Sequence, residues 1–299
     1  MLKIIAFYKY TNIENPEKFK KEHLDFCNSL ALKGRILVAK EGINGSVSGT
    51  NEQIEKYKQS LESNALFLGM EFKEDECLMH PFNKMKIKVK PELVRFEQNI
   101  TLENTGKHLS PEEFLNLANE ENTIILDARN HYESRVGKFK NALAPNIKTF
   151  KEFPQVAESI KDKKGKKILM YCTGGIRCEK ASAFLKAQGF SNVYQLHGGI
   201  LNFTKTLPKS DLWEGKCFVF DKRMLSEHNS EEKPISYCEI CNTPCDLYKN
   251  CRNNECDKLT ITCLECERSL GGCCSKKCFD ILFMPNIKNE KTQENLFQE

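Results

Sequence analysis

Apolar and polar positions along the first hundred residues switch between a period of two and a period near 3.6, the signatures of strand and helix. Lys3–Tyr10 is a β-rich run. Asn15-Pro16 opens a helical pattern in which Phe19, Leu24 or His23, Phe26 and Leu30 recur at roughly helical spacing, with proline at a tolerated early position. Gly34 is expected to end that helix. Arg35–Ala39 and Gly45–Ser48 read as paired strands around Lys40-Glu-Gly-Ile-Asn-Gly45, whose glycines and Asn suit a tight connection. Asn51–Glu62 reads as a second helix with Thr50 as its cap.

From Thr101 the pattern becomes one of alternating strands and helices. Ser110-Pro-Glu-Glu113 is a capping signature before Phe114, Leu115 and Leu117. Thr123–Ala128 and Lys167–Cys172 are short, continuously apolar strands. The second leads through Thr173-Gly-Gly-Ile-Arg177 into a helix over Glu179–Gln188, closed by Gly189, and Asn192–Leu196 is a third strand. Such repeated units imply a parallel sheet covered by helices, with ligands at the carboxyl ends of the strands. The expected fold is thus multidomain, mixing α/β and α+β. Residues 1–100 form a ferredoxin-like or acylphosphatase-like βαββαβ sandwich, 101–221 a parallel α/β domain, and 222–299 a cysteine-rich segment. The last opens with a polar linker at Ser226–Pro234 and closes with the polar stretch Asn289–Glu299.

Composition narrows the class. With 299 residues the chain exceeds one average domain, since domains cluster near ~100–150 residues. Its 40% hydrophobic and 29% charged content excludes a disordered or collagenous chain. No apolar stretch approaches the ~20 residues of a membrane span, and the opening run is broken too early for a signal peptide. A cytoplasmic protein without a membrane partner is expected. The net charge of +4 permits nucleic-acid binding without arguing for it. Of fifteen cysteines, ten fall between Cys238 and Cys278. Without an export signal these read as metal ligands rather than disulfides, and the remainder are open to redox or nucleophilic work.

Cys172 ends a strand and is followed by two glycines, a helix start and Arg177. Glycines let backbone N–H groups converge, the helix N-terminus adds positive potential, and the guanidinium supplies a cation. All three favour a thiolate or a persulfide anion. A buried strand-end cysteine in an ordinary turn has the same local sequence. Four segments together resemble the rhodanese domain: Leu126-Asp-Ala-Arg129, the stretch Glu133 to Ala142, the loop Cys172–Arg177, and His197-Gly-Gly-Ile200. The resemblance implies that Thr173, Gly174, Gly175, Ile176 and Arg177 cradle the substrate of Cys172. The four-residue spacer between Cys172 and Arg177 is that of the sulfur-handling members, while the related phosphatases carry one residue more. Asp127 and Arg129 read as structural partners, and Cys178 either as a resolving thiol or as a small helix-face residue.

Lys40-Glu-Gly-Ile-Asn-Gly-Ser46, Tyr171-Cys-Thr-Gly-Gly-Ile-Arg-Cys-Glu-Lys180 and the cysteine-rich tail together resemble the rhodanese-containing tRNA uridine hydroxylase family over nearly the whole chain. That resemblance implies 5-hydroxylation of the wobble uridine in the tRNA anticodon region, with molecular oxygen as co-substrate and Cys172 as the essential cysteine. A persulfide on that cysteine is one form it allows, and it names no sulfur or electron donor.

In the tail, Cys238-x2-Cys241, Cys251-x4-Cys256, Cys263-x2-Cys266 and Cys274-x3-Cys278 give four ligand pairs. Eight thiolates suit two structural zinc ions, with iron–sulfur as the rival, and Cys245 and Cys273 are left over. Spacing does not say which pairs combine. His23, His80, His108, His131, His197 and His228 are scattered and read as surface or packing residues, and no flavin, nicotinamide or ATP fingerprint is present. Lys161–Lys167 reads as solvated surface. Lys84–Lys90 reads as a half-exposed strand with its lysines on one face. A thiosulfate-type sulfurtransferase or persulfide carrier is the alternative enzyme, and a non-catalytic zinc-stabilised binding protein the alternative class.

Overall fold

The computed structural model describes residues 1–226 and 233–284. The chain divides into two compact units, Met1–Ser230 and Glu231–Glu299. His228, most of the expected linker and the stretch Asn289–Glu299 lie outside the described residues. Among the described residues no helix is long and apolar enough to cross a membrane.

The first unit begins with β1 (Leu2–Tyr10), α1 (Pro16–Ser29), β2 (Lys33–Ala39), β3 (Gly42–Gly49), α2 (Asn51–Glu62), β4 (Phe72–Cys77) and β5 (Met85–Val89). The sheet order is β4-β1-β3-β2-β5, antiparallel except where β5 runs parallel to β2. This is the expected βαββαβ order with one strand added. Strand alternation sorts the two faces. Ile5, Phe7, Ile36, Val38, Val47 and Ile87 pack with Ile54, Tyr57 and Leu61 of α2 in one core. Across the register Ala6 faces Ser46 and Lys73, Tyr8 faces Asn44, and Arg35 faces Lys86, so these residues occupy the other face.

Two expectations about glycines are corrected. The first helix ends at Ser29, where the Leu30 N–H bonds back to Phe26 and Asn28, and Ala31 takes a positive φ of 52°. Gly34 lies inside β2, where a Cβ would sit 2.4 Å from the Ser46 carbonyl oxygen. Its smallness serves strand approach, not helix termination. The β2–β3 connection is only Lys40-Glu41, and Gly42–Gly45 belong to β3.

The unit continues with β6 (Lys107–Leu109), α3 (Pro111–Ala118), β7 (Thr123–Asp127), α4 (His131–Ser134), β8 (Gly137–Phe139), α5 (Phe153–Ser159), β9 (Lys167–Tyr171), α6 (Ile176–Ala187), β10 (Val193–Leu196), α7 (Gly199–Thr206) and β11 (Trp213–Gly215). A parallel sheet runs β6-β10-β9-β7, and β8 pairs with β11. Both its faces are covered, which accounts for the continuously apolar strands. Ile168 and Met170 of β9 pack against α5 and α6. Leu169 and Tyr171 pack against α3 and α7. The helix expected from Glu179 begins instead at Ile176, immediately after the glycines. Asp127 and Arg129 form a fully buried ion pair at 2.7 Å. Arg129 also donates to the Gly137 carbonyl and the Tyr171 hydroxyl donates to Asp127. The pair thus joins β7, β8 and β9, the architectural role expected of it.

The second unit holds the hairpin β12 (Tyr248–Asn250) and β13 (Leu259–Ile261), followed by α8 (Leu264–Ser269) and α9 (Lys276–Phe283).

Candidate active site and metal-capable clusters

Cys172 follows the last residue of β9, at the carboxyl end of the parallel sheet. The Ile200 and Leu201 amides donate to the carbonyls of Cys172 and Thr173. Gly199 permits this close approach: it has φ +67°, and a Cβ there would lie 2.5 Å from the Cys172 carbonyl oxygen. The His197-Gly-Gly-Ile200 segment is therefore the floor on which the loop rests. Gly175 adopts φ +104° and its N–H donates to Cys172 Sγ at 3.1 Å.

Burial opposes ionisation of Cys172. The Cys178 thiol donating to it, the Arg177 charge and the Arg177 and Cys178 amides outweigh that penalty, bringing its pKa from 9.0 down to about 6. Cys178 is pushed well above the ordinary thiol range, first by burial and then by the neighbouring Cys172. One sulfur is poised as thiolate, the other held as its protonated partner. Arg177 is less free than its position in the sequence suggests. It makes a bidentate pair with the buried Glu133, at 2.5 and 2.6 Å, and donates to Thr173 Oγ1 at 3.2 Å. It remains close enough to Cys172 to stabilise the thiolate.

The first sheet docks onto this loop. The Tyr8 hydroxyl donates to Glu179 Oε1 at 3.0 Å, and Gln195 Nε2 to the other oxygen at 3.0 Å. Lys180 reaches Glu41 at 2.9 Å and Glu92 at 2.7 Å. Between sheet and loop lies a cavity of about 820 Å³, within the roughly 300–1,000 Å³ range of ligand sites. Cys172, Thr173, Gly174, Ile176 and Arg177 line it. Gly175 packs instead toward the Tyr8 hydroxyl, and Cys178 is fully buried outside the lining. Further lining comes from Tyr8, Asn44, Lys73, His197 and the half-exposed ring of Phe220. Asn44 and His197 belong to the Lys40–Ser46 and His197–Ile200 segments, whereas Tyr8, Lys73 and Phe220 lie far from the cysteine in sequence and carry no motif of their own. His197 pairs with Glu71 at 2.9 Å, more than the packing role expected.

In the second unit the eight cysteines expected as ligands form two groups: Cys238, Cys241, Cys263 and Cys266, and Cys251, Cys256, Cys274 and Cys278. Within each, the four sulfurs lie within 4.8 Å of one another. Pairs one and three combine, as do two and four, an interleaving that β12 and β13 create by carrying Cys251 away from Cys241. Cys245 and Cys273 belong to neither group. Sulfur separations are 3.6 Å for Cys241–Cys263, 3.7 Å for Cys256–Cys274 and 3.8 Å for Cys274–Cys278. A tetrahedron of thiolates about a single ion at ~2.3 Å has edges of about 3.8 Å. Both groups could hold a metal ion.

A parallel sheet ending in a glycine-cradled thiolate, joined to an acylphosphatase-like sheet, defines a rhodanese-type protein. Residues 110–206 match the rhodanese-like domain, 2–93 the UPF0176 acylphosphatase like domain, and 214–279 the rhodanase C-terminal family. The chain is 48% identical over 282 residues to the tRNA uridine(34) hydroxylase of Bacillus cytotoxicus, covering 92% of this chain and 87% of that protein. It is 48% identical to the protein of that name from Bacillus cereus and 47% to that from Bacillus anthracis, in each case over 92% of this chain and 88% of the relative. The chain belongs to the tRNA uridine(34) hydroxylase family.

Proposed function

We propose that the protein hydroxylates C5 of uridine 34 in the anticodon region of tRNA, with molecular oxygen as co-substrate and Cys172 as the catalytic residue. The observation that carries this reading is the low-pKa Cys172 sulfur lining a deep cavity between the two sheets. A base reaches such a sulfur only after leaving its stack, as enzymes that act on a base require. Thr173, Gly174, Ile176 and Arg177 shape the substrate side of the loop, and Gly175 supports it from behind through its N–H to Cys172 Sγ. Cys178 is placed to resolve an oxidised Cys172: attack of its thiol on a sulfenic acid yields a disulfide and water.

Inserting one oxygen atom of O2 at C5 reduces the other to water and consumes two electrons and two protons. A reductant must supply those two electrons. A thiosulfate sulfurtransferase needs neither the cavity wall from β1 and β4 nor a metal-holding tail. Zinc fits the two cysteine groups, because the sulfurs converge on a single centre rather than spreading around several irons. Its role there is structural. In this reading residues 1–100 present the RNA, 101–221 carry the chemistry and 222–299 form the zinc-braced tail of a cytoplasmic enzyme.

The test is incubation of unmodified tRNA transcript with the full-length protein, a reductant and isotopically labelled O2. Label entering uridine 34 supports the reading. Label entering from water, or an unmodified uridine in the presence of every component, contradicts it.

A further inference from the structure

Lys73 stands on β4 opposite Ala6 of β1, on the sheet face that walls the Cys172 cavity. Its Nζ lies 5.0 Å from the centre of the Tyr8 ring, and among the described residues it has no hydrogen bond or ion pair. The acids around it are engaged elsewhere. Glu74 pairs with Lys58 at 2.6 Å and Lys3 at 3.2 Å, Asp75 with Arg223 at 3.3 Å, and Glu71 with His197 at 2.9 Å. Burial draws the Lys73 amine below its usual range, against the opposing charges of Glu71, Cys172 and Glu179. An ammonium drawn away from water and left unpaired is costly, and a tyrosine face returns part of that cost. The stability of the fold does not account for its placement.

We infer that Lys73 reads the pyrimidine in the cavity, its ammonium donating to O4 of the unstacked uridine and thereby distinguishing uridine from cytidine. This rests on the uridine-hydroxylase reading above. An ammonium offers only donors. Uracil presents a carbonyl at C4 where cytosine presents an amino group, so cytosine would set donor against donor in a space sheltered from water. The two bases share O2 and differ at C4 and N3, where uracil carries a carbonyl and an N–H and cytosine an amino group and a bare acceptor, so a donor selects uracil only when aimed at the C4 substituent. C5 is bonded to C4, so a ring that brings C5 to Cys172 brings O4 to the same end of the cavity, where Lys73 is close enough to Cys172 for their charges to interact.

The experiment compares tRNA transcripts carrying uridine or cytidine at position 34, bound to the full-length protein, the Lys73→Met and Lys73→Gln variants, and Lys73→Arg. Wild type should prefer uridine by about tenfold, the discrimination of one good polar contact. Lys73→Met should remove the preference while Cys172 alkylation at pH 9, where the thiolate is already formed, stays intact. Lys73→Gln, whose amide either donates or accepts, should bind both transcripts equally, and Lys73→Arg should restore the preference for uridine. A wild type without preference, or a Met or Gln variant that keeps it, overturns the inference. Failure of the hydroxylase reading shows separately, as a wild type that prefers uridine but never hydroxylates it.

Discussion

Cys172 shows how far a local motif reaches. Its position at a strand end, its glycines and Arg177 were legible in ten consecutive residues, because the loop builds most of its own backbone cradle. Its partners were not: Glu133, Tyr8 and Lys73 arrive from segments 39 to 164 residues away. The lowered pKa has a direct consequence. Alkylation of Cys172, followed on its own peptide by mass spectrometry, should rise through about pH 6 rather than through the ordinary 9.0. The thiolate is stabilised in the folded state, so its contribution to stability is complete above pH 9 and fades as the pH falls through 6. A profile centred near the ordinary value would show that the loop does not activate the sulfur. The Arg177–Glu133 pair is buried, so Glu133→Ala should cost about 3–5 kcal/mol in denaturant unfolding. A loss below 1 kcal/mol would mean the pair is not sealed from solvent.

At the scale of elements, chain signals worked where a cap was written into the sequence. The boundaries of α2 emerge as expected because Thr50 and Gln53 form a reciprocal capping box, and Ser110 with Glu113 does the same for α3. They failed where tertiary contact decides. Gly34 resembles a helix stop but serves a strand, and β6, β8 and β11 have three residues each, too few to show a period. The cysteine pairs were legible as ligands, while their interleaving depends on the hairpin of β12 and β13. That interleaving makes each group separable. Cys256→Ser should reduce bound zinc from two ions per chain to one, measured by metal analysis. Chelation of both should expose residues 233–284 to hydrogen exchange before the first unit, because metal binding supplies much of the folding free energy of so small a core. Simultaneous exchange in both units, or iron with sulfide in the purified protein, would refute the structural-zinc assignment.

Across the whole first unit, the two sheets meet through Tyr8–Glu179 and through Lys180 with Glu41 and Glu92, enclosing the cavity between them. The lysine run at 84–90 gains meaning here. Lys86 and Lys88 are exposed on β5, in register with Arg35 and Leu37 on the same face that walls the cavity. Lys86, Lys88 and Lys90 changed together to Ala should weaken tRNA binding and flatten its dependence on salt, while Cys172 alkylation stays unchanged. Affinity indifferent to salt and to the triple change would remove this sheet as the RNA platform. The central claim, that Cys172 performs the uridine 34 chemistry, is tested most directly by nucleoside analysis of tRNA from cells that lack the protein and are complemented with wild type or with Cys172→Ser. The serine variant loses the sulfur and almost no volume, so it should accumulate as folded protein. The account predicts that 5-hydroxyuridine-derived nucleosides disappear without the protein, return with wild type and stay absent with Cys172→Ser. Their return with Cys172→Ser would contradict it.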